Sequence, residues 1–199
     1  PQRDLAENLA KNGDDLAAYW QKQYRGTLPI LDLPLDYPRP PVQSFMRSSE
    51  NARLDSLLVT RLRELSANEE STLFALQLSA LAILLGRSTG DDDLIIGTVA
   101  LADPLNGSDA PRANPLALRT ELAGDPTLGQ LITGVGQLIQ QASTHREYPF
   151  ADLLAALEGT APLDRAPLFQ TLLIWEGIPF ELAENSLDSS KIASVGHYT

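Results

Sequence analysis

Apolar and polar positions along this chain follow two rhythms, one near every third or fourth residue and one nearly continuous over short runs. Leu5, Leu9, Leu16 and Tyr19-Trp20 form an interrupted stripe that predicts helix over about the first 23 residues, with Gly13 a break between two shorter pieces. Leu28 to Pro41 then holds five prolines. Each removes an N–H and biases its predecessor to extended geometry, so an ordered crossing segment is predicted, neither helix nor strand. Its Leu and Ile content argues that it lies on an apolar surface, since a flexible linker is richer in Gly and Ser.

Ser44 to Arg53 is expected to be an edge strand. Leu57, Leu58, Leu62 and Leu65 have helical spacing within Asp55 to Ala67. Ser71 or Thr72 caps a following helix that runs to about Arg87 and is apolar on most sides, the pattern of a core helix. Thr89-Gly90-Asp91-Asp92 supplies a turn, and Asp93 to Ala100 reads as a buried strand. Leu101 to Ala113 is expected as a loop, and the alternation from Leu116 to Leu122 predicts a half-buried strand. Asp125-Pro126 sets a cap beside a first-turn proline. Leu128, Leu131, Ile132, Val135, Leu138 and Ile139 continue as a helix, which Gly134 and Gly136 weaken unless tertiary packing supports it. A short helix from Phe150 to Leu157 and a buried strand from Leu168 to Trp175 complete an α/β pattern.

The 199 residues suffice for one domain or one large lobe with a sizeable core. Cysteine is absent, so neither a disulfide nor a thiolate nucleophile is available, and a cytoplasmic location is the expectation. The net charge of −11 repels phosphate backbones and anionic lipid, which argues against nucleic-acid and membrane-surface partners. The longest strongly apolar run, Leu73 to Leu85, is broken by Gln77 and Ser79 and is too short to span a bilayer. The chain opens Pro-Gln-Arg-Asp with no signal-like segment and no initiating Met, and is expected to be part of something longer.

Candidate chemistry is sparse. The only histidines are His145 and His197. His145 is a possible base near neutral pH. It also falls at the end of a predicted helix, where a cation suits the dipole or a ring packs on Pro149-Phe150. His197 reads as a solvated tail residue. No Gly-x-Ser-x-Gly elbow is present. Asp91, Asp92 and Asp93 lack calcium-loop spacing and read as a solvated turn, so no metal site is expected. Gly134-x-Gly136 lies inside a helical pattern and is no dinucleotide fingerprint. Trp20 and Trp175 read as core or crossing contacts.

Four segments resemble the condensation domains of non-ribosomal peptide synthetases. They are Ala18-Tyr19-Trp20 followed by Leu31 to Pro40, then Thr89 to Thr98, then His145-Arg146-Glu147-Tyr148-Pro149-Phe150, and finally Asp164-Arg165-Ala166-Pro167-Leu168-Phe169-Gln170. Each alone is common; four in the family's order are specific. A fifth, Asn114 to Arg119, keeps the family's Asn and its strand ending in Arg. Ala110-Pro111-Arg112-Ala113 stands where the family has a Gly and an aromatic, and Asp103 lies near the place of an Arg. These departures fall in a loop that borders the family's channel, so they bear on substrate handling more than on fold.

The resemblance implies one lobe of a chloramphenicol acetyltransferase-like α/β fold, a mixed β-sheet covered by helices. Residues 1–43 would be the inter-lobe helix and crossing segment, and 44–199 the C-terminal lobe. It implies a tunnel in which an acceptor amine attacks a donor thioester, each presented on phosphopantetheine by a carrier protein. Such aminolysis needs a neutral amine and a stabilised tetrahedral intermediate. The family takes these from a His-His-x-x-x-Asp-Gly motif, which this chain lacks, so no catalytic residue is assigned.

The expected partners are peptidyl or acyl carrier proteins, the N-terminal condensation lobe and an adjacent adenylation domain. No cofactor is held by the chain itself. Asn114 matches the family's loop Asn, and would either donate a hydrogen bond into the tunnel or form a turn before Pro115. Thr98, ending a buried strand, is placed to line the tunnel. Arg119 matches the family's Arg and is the third residue that the resemblance assigns to the tunnel, with an ion pair to a carboxylate as its simpler role. Other readings are a non-catalytic carrier-binding module and a cyclisation or epimerisation relative. The lobe alone, with an apolar face uncovered, is expected to dimerise.

Overall fold

The computed structural model describes residues 2–42, 48–69, 71–102, 112–157, 164–175 and 194–197. Helix α1 spans Gln2–Gln23, α2 Ser56–Asn68, α3 Leu73–Thr89, α4 Leu128–Thr144 and α5 Phe150–Ala156. Strands β1 (Asp93–Ala102), β2 (Arg112–Glu121), β3 (Thr171–Ile174) and β4 (Ser194–His197) form one sheet in the order β2-β1-β3-β4. β1 runs antiparallel to β2 and parallel to β3, and β3 antiparallel to β4. The sheet is mixed, and the parallel β1–β3 pair is joined by a crossover that carries α4 and α5.

The helix boundaries follow local chemistry. Asp55 caps α2 by accepting from the Leu58 N–H, and Thr72 caps α3 by accepting from Ala75. Gly90 ends α3 in the left-handed region at φ 82°, which a residue with a Cβ adopts only with strain. Phe74, Leu78, Ala82 and Leu85 of α3 are buried, as its apolar surface predicts.

Strand alternation gives the sheet two faces. One carries Leu94, Ile96, Thr98, Leu116 and Leu118 and lies under α3 and α4. The other carries Ile95, Gly97, Ala117 and Arg119 and meets Phe169 and the carbonyls that follow α1. Both faces are buried at the centre, with Ile95 and Ile96 at 4% and 0% exposure. β2 is therefore fully buried in its middle and not half-buried as its alternation predicts.

Several boundaries differ from the sequence reading. α1 runs unbroken through Gly13, where nothing lies within 4 Å of an added Cβ, so the glycine costs only intrinsic propensity, about 1 kcal/mol. β2 begins at Arg112, inside the expected loop, because residues 112–121 pair one to one with β1. Pro115 is tolerated there because β2 is an edge strand. The cap of α4 is Thr127, in a reciprocal box with Gln130, while Asp125 takes φ 52° in the preceding turn. β3 is shorter than expected, since Leu168 at φ 70° breaks the extended run before it. His197 belongs to β4 and its backbone pairs with Thr171, so it is not a tail residue. Residues 48–53 form no strand, and 43–47 lie outside the described residues, as does most of the 101–113 loop with Asp103 and Ala110.

Gly97 marks the closest packing in the sheet. A Cβ there would lie 2.4 to 2.8 Å from three ring atoms of Phe169. Gly97→Ala is expected to cost about 2 kcal/mol by overpacking. Pairing it with Phe169→Ala should recover part of that loss, a coupling that a double-mutant cycle of urea melts reads directly. Simple additivity would contradict the contact.

Candidate functional site

The polar residues of interest gather where α1 and the crossing segment meet the sheet. Trp20 is 2% exposed, and its indole N–H donates to the His145 carbonyl at 3.0 Å. Tyr24, one turn further along, donates its hydroxyl to the Ala117 carbonyl on edge strand β2. The helix then ends, and its last carbonyls point at Arg119. Nη1 donates to Gln23 O and Arg25 O, both at 3.1 Å, and Nη2 to Thr27 O at 3.2 Å. The remaining donors meet Asp93, with Nε 2.9 Å from Oδ1 and Nη2 2.6 Å from Oδ2. All five donors of the guanidinium fork are thus in use. The positive group sits at the negative end of α1, and hydrogen bonding to the Asp93 carboxylate holds its pKa above the ordinary arginine value.

Asn114 does a similar task at the other end of β2. It is 2% exposed, and Nδ2 donates to Arg146 O at 2.7 Å and Tyr148 O at 2.8 Å. Its Oδ1 accepts from the Phe150 N–H at 3.1 Å, the first residue of α5. Two donors and an acceptor on one planar amide match two carbonyls and an N–H, so the side chain moulds the elbow between α4 and α5. Asn114 lies in a strand and not in the expected turn before Pro115, and both amide protons are committed to the elbow.

His145 caps α4. Its Nδ1 faces Gln141 O at 2.7 Å, and a carbonyl only accepts, so the proton resides on Nδ1. The ring stacks on Tyr19 at 3.9 Å between centroids with 10° between planes, in place of the expected packing on Pro149-Phe150. Burial pushes the Tyr19 hydroxyl up to about 12 and raises that of Tyr24, where Tyr19 adds a smaller contribution. The neutral phenols are therefore favoured by folding. Their contribution is full below pH 10.0, where free tyrosine ionises, and is lost as pH rises through about 12. Alkaline titration should show phenolate absorbance rising together with loss of helix. Tyr19→Phe should make the alkaline transition less steep, and an unchanged transition would contradict this linkage.

The three residues singled out from the sequence do not form one site. Thr98 and Asn114 lie on the same sheet face, since Thr98 pairs with Leu116 and Ala100 with Asn114. Arg119 points to the opposite face, five residues on, about 16 Å along the strand. Thr98 is 2% exposed beneath the helices. Among the described residues no three His, Cys, Asp or Glu side chains cluster to hold a metal.

The contacts of two further side-chain groups were not legible in the sequence. Gln170 bridges the crossing segment to the approach of β3, accepting from the Leu31 N–H and donating to Ala166 O, each at 3.1 Å. Nearby, Arg165 holds Asp164 at 2.9 Å, and that hydrogen bond keeps the Asp164 carboxyl below the usual range. Gln170 and Arg165 both stand in the Asp164 to Gln170 segment singled out from the sequence, where neither side chain is given a role.

A mixed sheet covered by helices is the architecture of the chloramphenicol acetyltransferase-like fold. The family model for condensation domains matches residues 4–198. The chain belongs to that family. It is 38% identical over 186 residues to surfactin synthase subunit 1 of Bacillus subtilis (strain 168), covering 89% of this chain and 5% of the synthase. It therefore spans a small fraction of the multidomain relatives it matches. Among solved structures, the X-domain from teicoplanin biosynthesis aligns with a TM-score of 0.73 at 27% identity, covering 86% of this chain and 39% of that one. The condensation domain of the monacolin K polyketide synthase MokA aligns with a TM-score of 0.68 at 26% identity, covering 84% and 42%.

Proposed function

We propose that this chain is the acceptor-side lobe of a condensation domain, joining carrier-bound aminoacyl or peptidyl thioesters through a new amide when a second, histidine-bearing lobe completes the tunnel. The observation that carries this reading is the match to about two-fifths of each of two solved domains by nearly all of this chain. Its two histidines are not adjacent, and the Nδ1 of His145 is committed to Gln141. The crossing segment supports the same reading. Leu31 is buried and Leu33 packs against the core, while Ile30, Leu35, Tyr37 and Val42 are exposed on the outer side. A segment apolar on both sides suits a position between two packed bodies.

In this reading the chain's residues position and do not react. Arg119 fixes the end of α1 to the sheet and so sets how the crossing segment leaves this lobe. Asn114 and Trp20 fix the α4–α5 elbow. The amine proton is removed, and the tetrahedral intermediate stabilised, by groups of the other lobe. Carrier proteins supply both thioesters on phosphopantetheine.

The test is reconstitution. Carrier-bound donor and acceptor are incubated with this chain, with a complementary histidine-bearing lobe, and with both, and the carrier-bound product is read by mass spectrometry. Amide is expected only from the mixture. Product from this chain alone at the rate of an intact domain, or none from a mixture that demonstrably assembles, would overturn the proposal.

A further inference from the structure

We propose, on the reading of this chain as one lobe of a condensation domain, that Gln170 is a positioning residue for assembly with the second lobe. A strained turn at Leu168 holds it in place. It anchors the crossing segment at Leu31, so that Ile30 and the apolar residues beyond it face the other lobe.

Leu168 stands in the left-handed region at φ 70°. The Phe169 N–H donates to the Pro167 carbonyl at 2.9 Å, which makes Leu168 the centre of a γ-turn of the rare, strained form. A leucine in that region is an outlier, and the conformation persists only where its surroundings over-determine it. Here the next two residues do so. Phe169 lies over Gly97, with three ring atoms 2.4 to 2.8 Å from where a Cβ would be, and its ring is centred 5.5 Å from that of Phe150. Gln170 accepts from the Leu31 N–H and donates to the Ala166 carbonyl, each at 3.1 Å.

Neighbouring residues of a regular strand face opposite sides of the sheet. Continued backwards from Leu172, which pairs with Gly97, β3 would send residue 170 to the Gly97 face and residue 169 to the other. The extended run is broken before β3, and Phe169, Gln170 and Leu172 all line one cavity under the crossing segment.

The anchored Leu31 amide settles which way the crossing segment faces. Leu31 is 5% exposed and Ile30 55%, so adjacent side chains point inward and outward from one fixed stretch of backbone. Asp32 reaches Arg165 at 3.8 Å, a second and weaker tie to the same segment. A segment already held in its assembled form loses less conformational freedom when the lobes meet. The anchor therefore strengthens lobe association without touching a reacting group.

Hydrogen exchange reads the anchor in this chain alone. Gln170→Ala should speed exchange of the Leu31 amide about tenfold relative to β1 amides, as loss of one hydrogen bond implies. Gln170→Glu keeps the acceptor and should retain most of the protection. Glycine takes a positive φ without strain and valine does not, so Leu168→Gly should protect Leu31 better than Leu168→Val. Calorimetric titration with a complementary histidine-bearing lobe reads assembly without any chemistry. Gln170→Ala should weaken that binding about tenfold and Gln170→Glu by less, while amide formation at saturating lobe keeps the parental rate. Unchanged Leu31 exchange or unchanged lobe affinity in Gln170→Ala overturns the proposal, and the reverse order at position 168 overturns the role of the turn. A parent chain that binds no such lobe overturns the one-lobe reading itself, and the positioning role with it. Should Gln170→Ala fail to fold, the two Leu168 variants decide the matter by the same readings.

Discussion

Asn114→Asp is expected to destabilise the fold by about 4 kcal/mol. The substitution replaces the donating Nδ2 by an oxygen and faces it with two carbonyl oxygens at 2.7 and 2.8 Å. It also adds a charge to a site 2% exposed. Asn114→Ala removes the same bonds without the charge and should cost about 3 kcal/mol, leaving two carbonyls and the Phe150 N–H without their partner. The sign of the pH dependence separates the two. The buried carboxyl introduced by Asn114→Asp favours its protonated form, whose folded pKa lies above the unfolded value. Its penalty is therefore smallest at low pH and grows as pH rises through the folded pKa, whereas Asn114→Ala should show no such trend. Urea denaturation across pH measures both. A midpoint for Asn114→Asp close to that of the parent would show that the elbow does not depend on this amide.

Arg119→Ala carries the second large effect, about 3 kcal/mol. The side chains of Arg119 and Asp93 are 21% and 38% exposed, so solvent screens the ion pair and its Coulombic part is modest. Most of the loss comes from the three backbone carbonyls at residues 23, 25 and 27, which lose their shared donor where α1 ends. Arg119→Lys retains the charge but not the fork, and cannot meet Asp93 and three carbonyls together. It is expected to recover about 1 kcal/mol. Because these carbonyls lead directly into the crossing segment, both variants should speed proteolysis there more than in α3 or β1. Equal cleavage rates in parent and Arg119→Ala would mean that the crossing segment is anchored elsewhere.

Both predictions concern residues that resemblance had placed beside a substrate channel and that the structure uses as clamps. The motifs were still informative. His145 to Phe150 and Asn114 stand far apart in the chain, yet the amide of Asn114 closes the elbow that His145 to Phe150 form. The Tyr-Trp pair ending α1 meets that same elbow through Trp20 and stacks Tyr19 on His145. The Pro-Leu-Phe-Gln segment returns to the crossing segment through Gln170 and packs Phe169 over Gly97. Three of the four resembling segments thus supply the polar and aromatic joints between α1, the crossing segment and the sheet.

By itself the sequence determined what depends on near neighbours. The stripe of Leu128 to Ile139 is a helix, the run from Asp93 to Ala100 is a strand, and five prolines from Leu28 to Pro41 leave the chain extended on an apolar surface. These follow from periodicity and backbone restriction over a few residues, and the motif order that marks the family is likewise linear. Tertiary structure decided what depends on partners tens of residues away. β2 starts at Arg112 because β1 offers it a ladder, and β4 exists because β3 has an open edge. Thr98 and Asn114 face one side of the sheet and Arg119 the other because register, not residue type, assigns the face. A buried polar side chain takes the role its packed neighbours leave open, and those neighbours are specified only by the fold.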